Sequence, residues 1–343
     1  MLAGLIIVLL LVLTLPFFVK PIERNLEPFL FVMGLAATLI SGVLNKELIS
    51  HIFTNNLMYM ITGAVLIFGL LFAFFQNQIH KWIEKVLEHI PLNIFVFLIV
   101  VILGLFSSVI TAIISALILA EVMNALPLKR KAKINTTIVG CFAIGLGAAL
   151  TPIGEPLSTI VVSKLDEQFF YLLKLLGVFI IPGIIAMGIL GCFTAGSSKD
   201  CEQTDEEPVD LEDETISGVV LRAGKIFLFI MALELLGAGF KPMIDAYLIH
   251  LDGRILYWIN MISAILDNAT LAAAEISPSM SGLQIEAILM GLLVSGGMLI
   301  PGNIPNIISA GKLKITSSEW AKLGVPLGLI LLAIYYVIIF VIL

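Results

Sequence analysis

The chain has 343 residues, of which 59% are hydrophobic and only 13% are charged, and its mean hydropathy is +1.10. This composition excludes an ordinary soluble domain and is typical of a polytopic helical protein in a lipid bilayer. The net charge of −6 arises in residues 196–216, which contain nine acidic side chains and one lysine. Because the rest of the chain is only slightly basic, no surface for nucleic acid is predicted. The three cysteines lack paired spacing, so we expect no disulfide framework, metal cluster or cofactor.

Apolar runs at the start of the chain predict two transmembrane helices within residues 1–56, at about 2–19 and 29–44. The first run has no basic segment before it and no small-residue cleavage site after it. We therefore expect a retained helix rather than a signal peptide. A third helix is predicted at about 57–75. Residues 76–89 mix apolar and basic side chains, as does a helix that lies at the membrane interface.

Two pairs of short apolar segments each flank a small polar stretch. In the first pair, segments 92–106 and 112–122 flank Ser107-Ser108-Val109-Ile110-Thr111. In the second pair, the polar stretch is Asp267-Asn268-Ala269-Thr270. Because each segment is too short to cross a bilayer comfortably, we predict two re-entrant hairpins whose tips are these polar stretches.

Prolines interrupt two further apolar segments at membrane depth. The interruptions, which we call the first and second breaks, are residues 151–156 (Thr-Pro-Ile-Gly-Glu-Pro) and 300–306 (Ile-Pro-Gly-Asn-Ile-Pro-Asn). Each proline removes a backbone donor and disfavours helix at the preceding residue. Unsatisfied backbone is costly in hydrocarbon, so a break persists only where protein or a water-filled cavity satisfies it. A carboxylate at such a break indicates a cation site in a secondary transporter.

The order of these features repeats along the chain. The first tip aligns with residues 263–267, and residues 154–156 align with 303–305. We therefore predict two related halves, 57–195 and 217–343. Each half crosses the membrane three times, so the second half is inverted relative to the first. The predicted fold is an all-α polytopic membrane protein with two inverted repeats, each containing a re-entrant hairpin and a broken transmembrane helix.

Residues 196–216 separate the two halves. They lack apolar periodicity and are expected to form a disordered acidic linker. A span is predicted before the linker at about 169–193, and another after it at about 219–240. An amphipathic stretch at 241–251 follows, and a final helix is predicted at about 323–343.

Basic side chains are concentrated on one side of this predicted topology, which includes the cluster at 129–133. The positive-inside rule assigns that side to the cytoplasm. Both termini are then expected outside the cell, and the acidic linker is expected in the cytoplasm. The first hairpin would enter the cell membrane from the cytoplasm and the second from outside.

The tip at 266–270 and the two breaks together resemble those of the ion transporter superfamily, especially its NhaD-type sodium/proton antiporters and ArsB-type arsenite permeases. The chain is most similar to the small group of predicted cation transporters in that superfamily, from about residue 57 onward. The resemblance implies a scaffold that can form a homodimer. It also implies a transport unit of two hairpins and two broken helices that moves in an elevator fashion.

The resemblance further implies that a cation is held between each tip and the break that faces it. In the first half, the implied residues are Ser107, Ser108, Thr111, Gly154 and Glu155. In the second half, they are Asp267, Asn268, Thr270, Asn303 and Asn306. The first tip lacks the asparagine-bearing signature of the sodium-coupled dicarboxylate branch, which argues against carboxylate transport.

Structural roles remain open for the same residues. Asp267 also fits a helix N-cap, and Glu155 fits a lock on the free amides of its own break. The asparagines of the second break fit the satisfaction of free backbone groups, and the hydroxyl residues of the first tip fit close helix packing. Glu121 and Glu275 lie near the far ends of the hairpins, where we expect them to be solvated at the membrane surface.

The leading hypothesis is a secondary active transporter that exchanges sodium, or another monovalent cation, for protons. Asp267 and Glu155 would bind cation and proton alternately, because both compete for the same carboxylate charge. The alternative is a cation-coupled anion carrier, such as an arsenite or carboxylate permease, with the anion at helix N-termini. No Lys or Arg lies in the tips or breaks, which argues against an unassisted anion site. We do not expect an enzyme, because all four histidines are peripheral. A non-transporting sensor whose acidic linker binds a partner is a less economical explanation than a transporter, because both halves retain charged residues.

Overall fold

The computed structural model describes residues 1–54, scattered residues between 58 and 86, and residues 89–196, 216–247, 252–266, 268–276, 278 and 280–342. Regular structure in these residues is helical, which confirms the all-α class. Among them, three helices are apolar and long enough to cross a membrane, at 92–110, 171–196 and 317–342. The described part of the chain is therefore that of a membrane-associated helical protein.

The N-terminal region contains helices α1 (Leu2–Phe18), α2 (Lys20–Arg24), α3 (Leu26–Ser41) and α4 (Lys46–Thr54). Helices α1 and α3 confirm the two predicted apolar helices, whereas the short polar α2 and α4 are not among the predicted elements. Gly42 ends α3 in the left-handed conformation at φ 74°, which a residue without a Cβ adopts readily. Most of the helices predicted at 57–75 and 76–89 lies outside the described residues.

The next region contains α5 (Leu92–Ile110), α6 (Ala112–Ala125), α7 (Arg130–Ala148), α8 (Pro156–Leu165) and α9 (Tyr171–Gly196). Helices α5, α7 and α9 pack against one another. The predicted extent of the first tip is wrong, because α5 continues through Ser107 and Ser108 and only Thr111 separates α5 from α6. Both serine hydroxyls donate to carbonyls one turn earlier in α5, an arrangement that a helix accommodates.

The last region contains α10 (Ile216–Tyr247), α11 (Gly253–Ile259), a 3₁₀ turn (Asn260–Ala264), α12 (Asn268–Glu275), α13 (Gly282–Gly296), a second 3₁₀ turn (Ile300–Gly302), α14 (Ile304–Leu313), α15 (Ser317–Val337) and a π turn (Ile338–Ile342). The amphipathic stretch predicted to begin at 241 is wrong as a separate element, because α10 continues to Tyr247 with Pro242 inside it. Helix α10 packs extensively against α3, and such packing outweighs the cost of one proline. Most of the predicted linker, residues 197–215, lies outside the described residues.

Helices from the two regions interlock beyond each break. Helix α8, which follows the first break, packs against α12, and α14, which follows the second break, packs against α6. The hydroxyl of Tyr335 on α15 donates to the carbonyl of Phe179 on α9 at 3.1 Å. Buried apolar side chains from both regions form one continuous core. The two regions therefore fold against each other rather than as separate units.

A buried ion pair fixes one of these contacts. Lys312 Nζ on α14 lies 2.9 Å from Glu121 Oε2 on α6, and the two side chains are only 8% and 4% exposed. The prediction that Glu121 and Glu275 are solvated is therefore wrong, since Glu275 is also buried, at 1% exposed. Helices distant in sequence cover both carboxylates: α14 covers Glu121, and α8, α10 and α13 pack around the helix that bears Glu275.

Replacing Lys312 by Met tests the importance of this ion pair. The variant leaves the Glu121 charge buried without its partner, so we expect a loss of about 3 to 5 kcal/mol in the free energy of unfolding. Adding Glu121→Leu should restore most of that loss, because an apolar pair can replace a buried ion pair. The measurement is denaturant unfolding in detergent micelles.

Lys225→Met provides the matched control. Lys225 is 43% exposed and lies 3.9 Å from Glu27, and an exposed pair of this kind contributes roughly 1 kcal/mol or less. Equal losses in the Lys312 and Lys225 variants would contradict a stabilising role for the buried pair.

Candidate functional site

The first break separates α7 from α8. Helix α7 ends at Ala148, and α8 begins at Pro156, whose fixed φ and missing N–H suit the first position of a helix. The Ala112 amide donates to the Gly154 carbonyl at 2.8 Å, and the Thr151 hydroxyl donates to the Ser108 carbonyl. These two bonds attach the α5–α6 junction to the break, so the first tip and the first break lie together.

The polar groups at this junction are largely engaged with backbone. The Ser107 hydroxyl donates within α5 and also lies 3.1 Å from the Ile144 carbonyl of α7. Thr111 Oγ1 accepts from the Ile114 amide and so caps α6. The hydroxyl protons of Ser107 and Ser108 serve helix packing, as the structural alternative expects, while their oxygen lone pairs remain acceptors.

Glu155 is buried immediately before α8. The N-terminal end of a helix favours negative charge, because its free amides and the helix dipole both point there. Buried carboxylates inside an apolar protein are costly unless charge or hydrogen bonds compensate them. The sequence therefore places a carboxylate at one of the few interior positions that favour an anionic side chain.

The second break separates α13 from α14 and is closed by asparagine side chains. Asn303 Oδ1 accepts from the Ile304 amide at 2.8 Å and caps α14. Asn306 Nδ2 donates to the carbonyls of Gly296 and Leu299, at 2.8 and 2.9 Å, and so connects the end of α13 to α14. Asn306 Oδ1 is buried and has no hydrogen-bond partner among the described residues. Asn306 thus satisfies freed backbone with its nitrogen and leaves an acceptor oxygen available.

The 3₁₀ turn that precedes the second tip lies against the second break. A Cβ added at Gly302 would approach the carbonyl oxygens of Ser263 and Ala264 to 2.8 and 3.0 Å, so the close contact requires glycine. Asp267 itself lies outside the described residues. Asn268 begins α12, its side chain is buried, and its Nδ2 has no partner in the described part of the chain. Thr270 lies in the first turn of α12.

Helix α7, which leads into the first break, also contacts the second break. A Cβ added at Gly145 on α7 would lie 2.8 Å from Asn303 Nδ2, so the backbone of α7 passes directly beside the second break. Cys141 Sγ, one turn earlier, contacts Ser309 Oγ at 3.3 Å and the Pro305 carbonyl at 3.5 Å. Sequence reasoning did not identify these two contact residues. The glycine-rich run before the first break was the only indication in the sequence that another segment of the backbone approaches so closely.

The chemistry of the assembled stretches is that of oxygen ligands. Carboxylate, amide, hydroxyl and carbonyl oxygens occur in the tips and breaks, and none of these stretches contains Lys or Arg. Within the described residues, no group of three or more His, Cys, Asp or Glu side chains could hold a transition metal. The arrangement favours a hard cation or a proton over an anion.

Comparison with known families adds one finding. Residues 2–342 match the sequence profile of DUF1646, described as a protein of unknown function. The chain belongs to this family. The matched range includes both tips, both breaks and the N-terminal helices, so a single family model covers all of these features. A search of curated proteins finds no sequence match.

Asn306→Ala tests the structural part of this site. The substitution leaves the carbonyls of Gly296 and Leu299 without their donor, so we expect a loss on the order of 3 kcal/mol in the free energy of unfolding. Asn303→Ala is the matched control and should lose about 1 kcal/mol, the usual cost of removing a helix cap. Denaturant unfolding in micelles measures both. A loss for Asn306→Ala no larger than the control would show that its amide does not hold the break together.

Proposed function

We propose that the chain is a secondary active transporter that exchanges sodium, or another monovalent cation, for protons across the cell membrane. The observation that carries this proposal is the packing of two broken helices against each other in one helical core, with the first tip bonded to the first break. Glu155 and three asparagine side chains of the tips and breaks are buried in this core. At membrane depth, backbone leaves the helix where it lines an ion or substrate site.

The ligands in this proposal are the oxygens of the tips and breaks. Asp267 and Glu155 supply negative charge, and Asn306 Oδ1 supplies a buried neutral oxygen that needs a partner. The remaining proposed ligands are Ser107, Ser108, Thr111, Gly154, Asn268, Thr270 and Asn303. Hard cations prefer such oxygens, and the absence of Lys and Arg from these stretches leaves a negative field.

Exchange follows from competition for the two carboxylates. A cation that enters between the breaks displaces the proton, and a proton that returns displaces the cation. Each carboxylate that binds a cation or a proton is then neutralised in either loaded state, and the cost of moving its uncompensated charge through the core is avoided. Differential affinity for the two ligands on the two sides of the membrane drives the cycle.

The proposed architecture is a pair of inverted repeats. Its support is the repeated order of a helix pair (α5–α6 or α11–α12), a broken helix and a long apolar helix, together with the reciprocal packing of α8 on α12 and of α14 on α6. We further propose that α5–α6 and the α11–α12 segment are re-entrant hairpins. With the breaks, they would form a transport unit that moves in an elevator fashion.

Membership in the ion transporter superfamily is part of the same proposal, and it is supported by the motifs of the second tip and the two breaks. The proposed orientation has both termini outside the cell and the acidic linker 196–216 in the cytoplasm, on the evidence of the basic residues. A homodimer is proposed on the resemblance alone.

The test is proton flux in proteoliposomes loaded with a pH-sensitive dye, with sodium, lithium, potassium and calcium added in turn. We expect a sodium- or lithium-dependent pH change that falls at least about tenfold in Asp267→Asn, because one charge supplies both ligands with their binding energy. Asp252→Asn is the matched control. Asp252 is exposed and caps α11 through the Arg254 amide, and asparagine caps equally well, so exchange should be unchanged.

Two outcomes would contradict the proposal. Wild-type exchange by the Asp267 variant would remove the assignment of the site to the second tip. No response of folded wild-type protein to any cation would remove cation/proton exchange itself, and uptake of arsenite and dicarboxylates would then test the anion carrier.

A further inference from the structure

Helices α6 and α12 are the second helices of the α5–α6 and α11–α12 pairs, and each carries one deeply buried glutamate. The two glutamates have different surroundings. Glu121 on α6 is compensated by Lys312, 2.9 Å away on α14. Glu275 on α12 is equally buried but has no ion pair in the described part of the chain. A buried carboxylate without a compensating cation is strongly disfavoured. Glu275 must therefore be neutralised in another way.

Within the described residues, the one polar contact of Glu275 is with Asn260. Asn260 Nδ2 donates to Glu275 Oε2 at 3.0 Å, and Asn260 is 0% exposed. Asn260 precedes the second tip and Glu275 follows it, so this bond joins the two arms on either side of the tip. Glu275 Oε1 and Asn260 Oδ1 are both buried, and neither has a hydrogen-bond partner among the described residues. The cluster therefore contains two acceptor oxygens and lacks a donor.

Among the side chains that the structure describes, no neighbouring charge supplies the missing compensation. Helices α8, α10 and α13 pack against α12, and their charged side chains with described positions are Lys164, Lys225, Glu234, Lys241 and Glu286. None of these five forms a hydrogen bond or ion pair with Glu275. Lys164 is exposed, and Lys225 pairs with Glu27. The side chains of Arg222 and Asp245 on α10 lie outside the described residues.

We propose that Glu275, held by Asn260, is a proton-binding site separate from the site between the two breaks. The proton forms an O–H bond at Oε1 and leaves the carboxyl group neutral. When that bond breaks, the proton passes to water, the electron pair stays on the carboxylate, and Asn260 Nδ2 holds the resulting anion. A proton fits the cluster better than a metal cation does, because hard cations such as calcium and magnesium take six or more oxygen ligands. Among the described residues, the cluster has two unpartnered side-chain oxygens.

The proton site has a consequence for transport that rests on the proposed function. Glu275 and the second tip both belong to the α11–α12 pair. Protonation of Glu275 and occupation of the tip by a cation therefore act on the same pair of helices. Neutral Glu275 allows this element to stay in the apolar core, whereas ionised Glu275 disfavours its burial. The site therefore adds a proton to each cycle beyond those exchanged at Asp267 and Glu155.

The direct test is infrared difference spectroscopy of the purified full-length protein between acidic and alkaline buffer. We expect a carbonyl-stretch component of a protonated carboxyl group that shifts in deuterium oxide and is lost in Glu275→Gln. Glu286→Gln is the matched control, because Glu286 is a less buried glutamate on adjacent α13, and it should retain the component. Asn260→Ala should move the component to a different frequency, since it removes the hydrogen bond to the carboxyl group.

The same component in the Glu275→Gln spectrum would overturn the proposal. If Glu275→Gln does not fold, an unmoved component in Asn260→Ala would overturn it instead.

Counting protons per sodium in proteoliposomes separates this inference from the proposed function. The ratio should fall in Glu275→Gln while sodium exchange continues. Wild-type protein that has the infrared component but exchanges no cation would remove the proposed function and keep the proton site, whereas active wild type without the component would remove only the proton site.

Discussion

Backbone groups that are released by a helix break inside an apolar core must find partners, and this requirement determines how the described helices are arranged. At the first break, the Gly154 carbonyl receives the Ala112 amide from the start of α6. At the second break, the Asn306 side chain satisfies two backbone carbonyls by donating to both. Each solution draws polar groups to the break, so the same requirement that stabilises the fold also concentrates oxygen ligands in the interior.

The requirement also explains why the two regions interlock. A helix that restarts after a break is short, since α8 and α14 have only ten residues each, and it cannot bury its apolar face alone. Each therefore packs on a helix of the other region, α8 on α12 and α14 on α6. The Glu121–Lys312 ion pair secures one of these contacts, whereas no such cation pairs with Glu275 among the described residues.

Much of the fold could be predicted from local sequence. Prolines and glycines locate both breaks, because proline cannot continue a helix and α8 begins at Pro156 itself. Apolar length predicts the long helices α9 and α15, whereas α5 extends beyond the short segment predicted at 92–106. The extent of the first tip could not be predicted, since Ser107 and Ser108 satisfy their hydroxyls within α5 and so do not end it. The burial of Glu121 depends on a partner 191 positions away at Lys312, and no local pattern encodes that contact.

The candidate site was predictable in part for the same reason. Asn303 and Asn306 stand out as polar residues close to prolines, and the structure brings their break beside α7. Gly145 and Asn260 do not stand out, because an interior glycine is common in membrane helices and Asn260 lies in an otherwise apolar run. Their roles emerge only when neighbouring helices are placed, Gly145 by its approach to Asn303 and Asn260 by its bond to Glu275.

Equilibrium binding of radioactive sodium to the purified protein, measured over a range of pH, tests the central claim most directly, because it requires no transport. The account predicts saturable sodium binding that protons displace competitively and that the Glu155→Gln variant weakens. Absence of saturable binding by folded protein at every pH, or binding that is independent of both pH and Glu155, would contradict the claim that the tips and breaks form a cation and proton site.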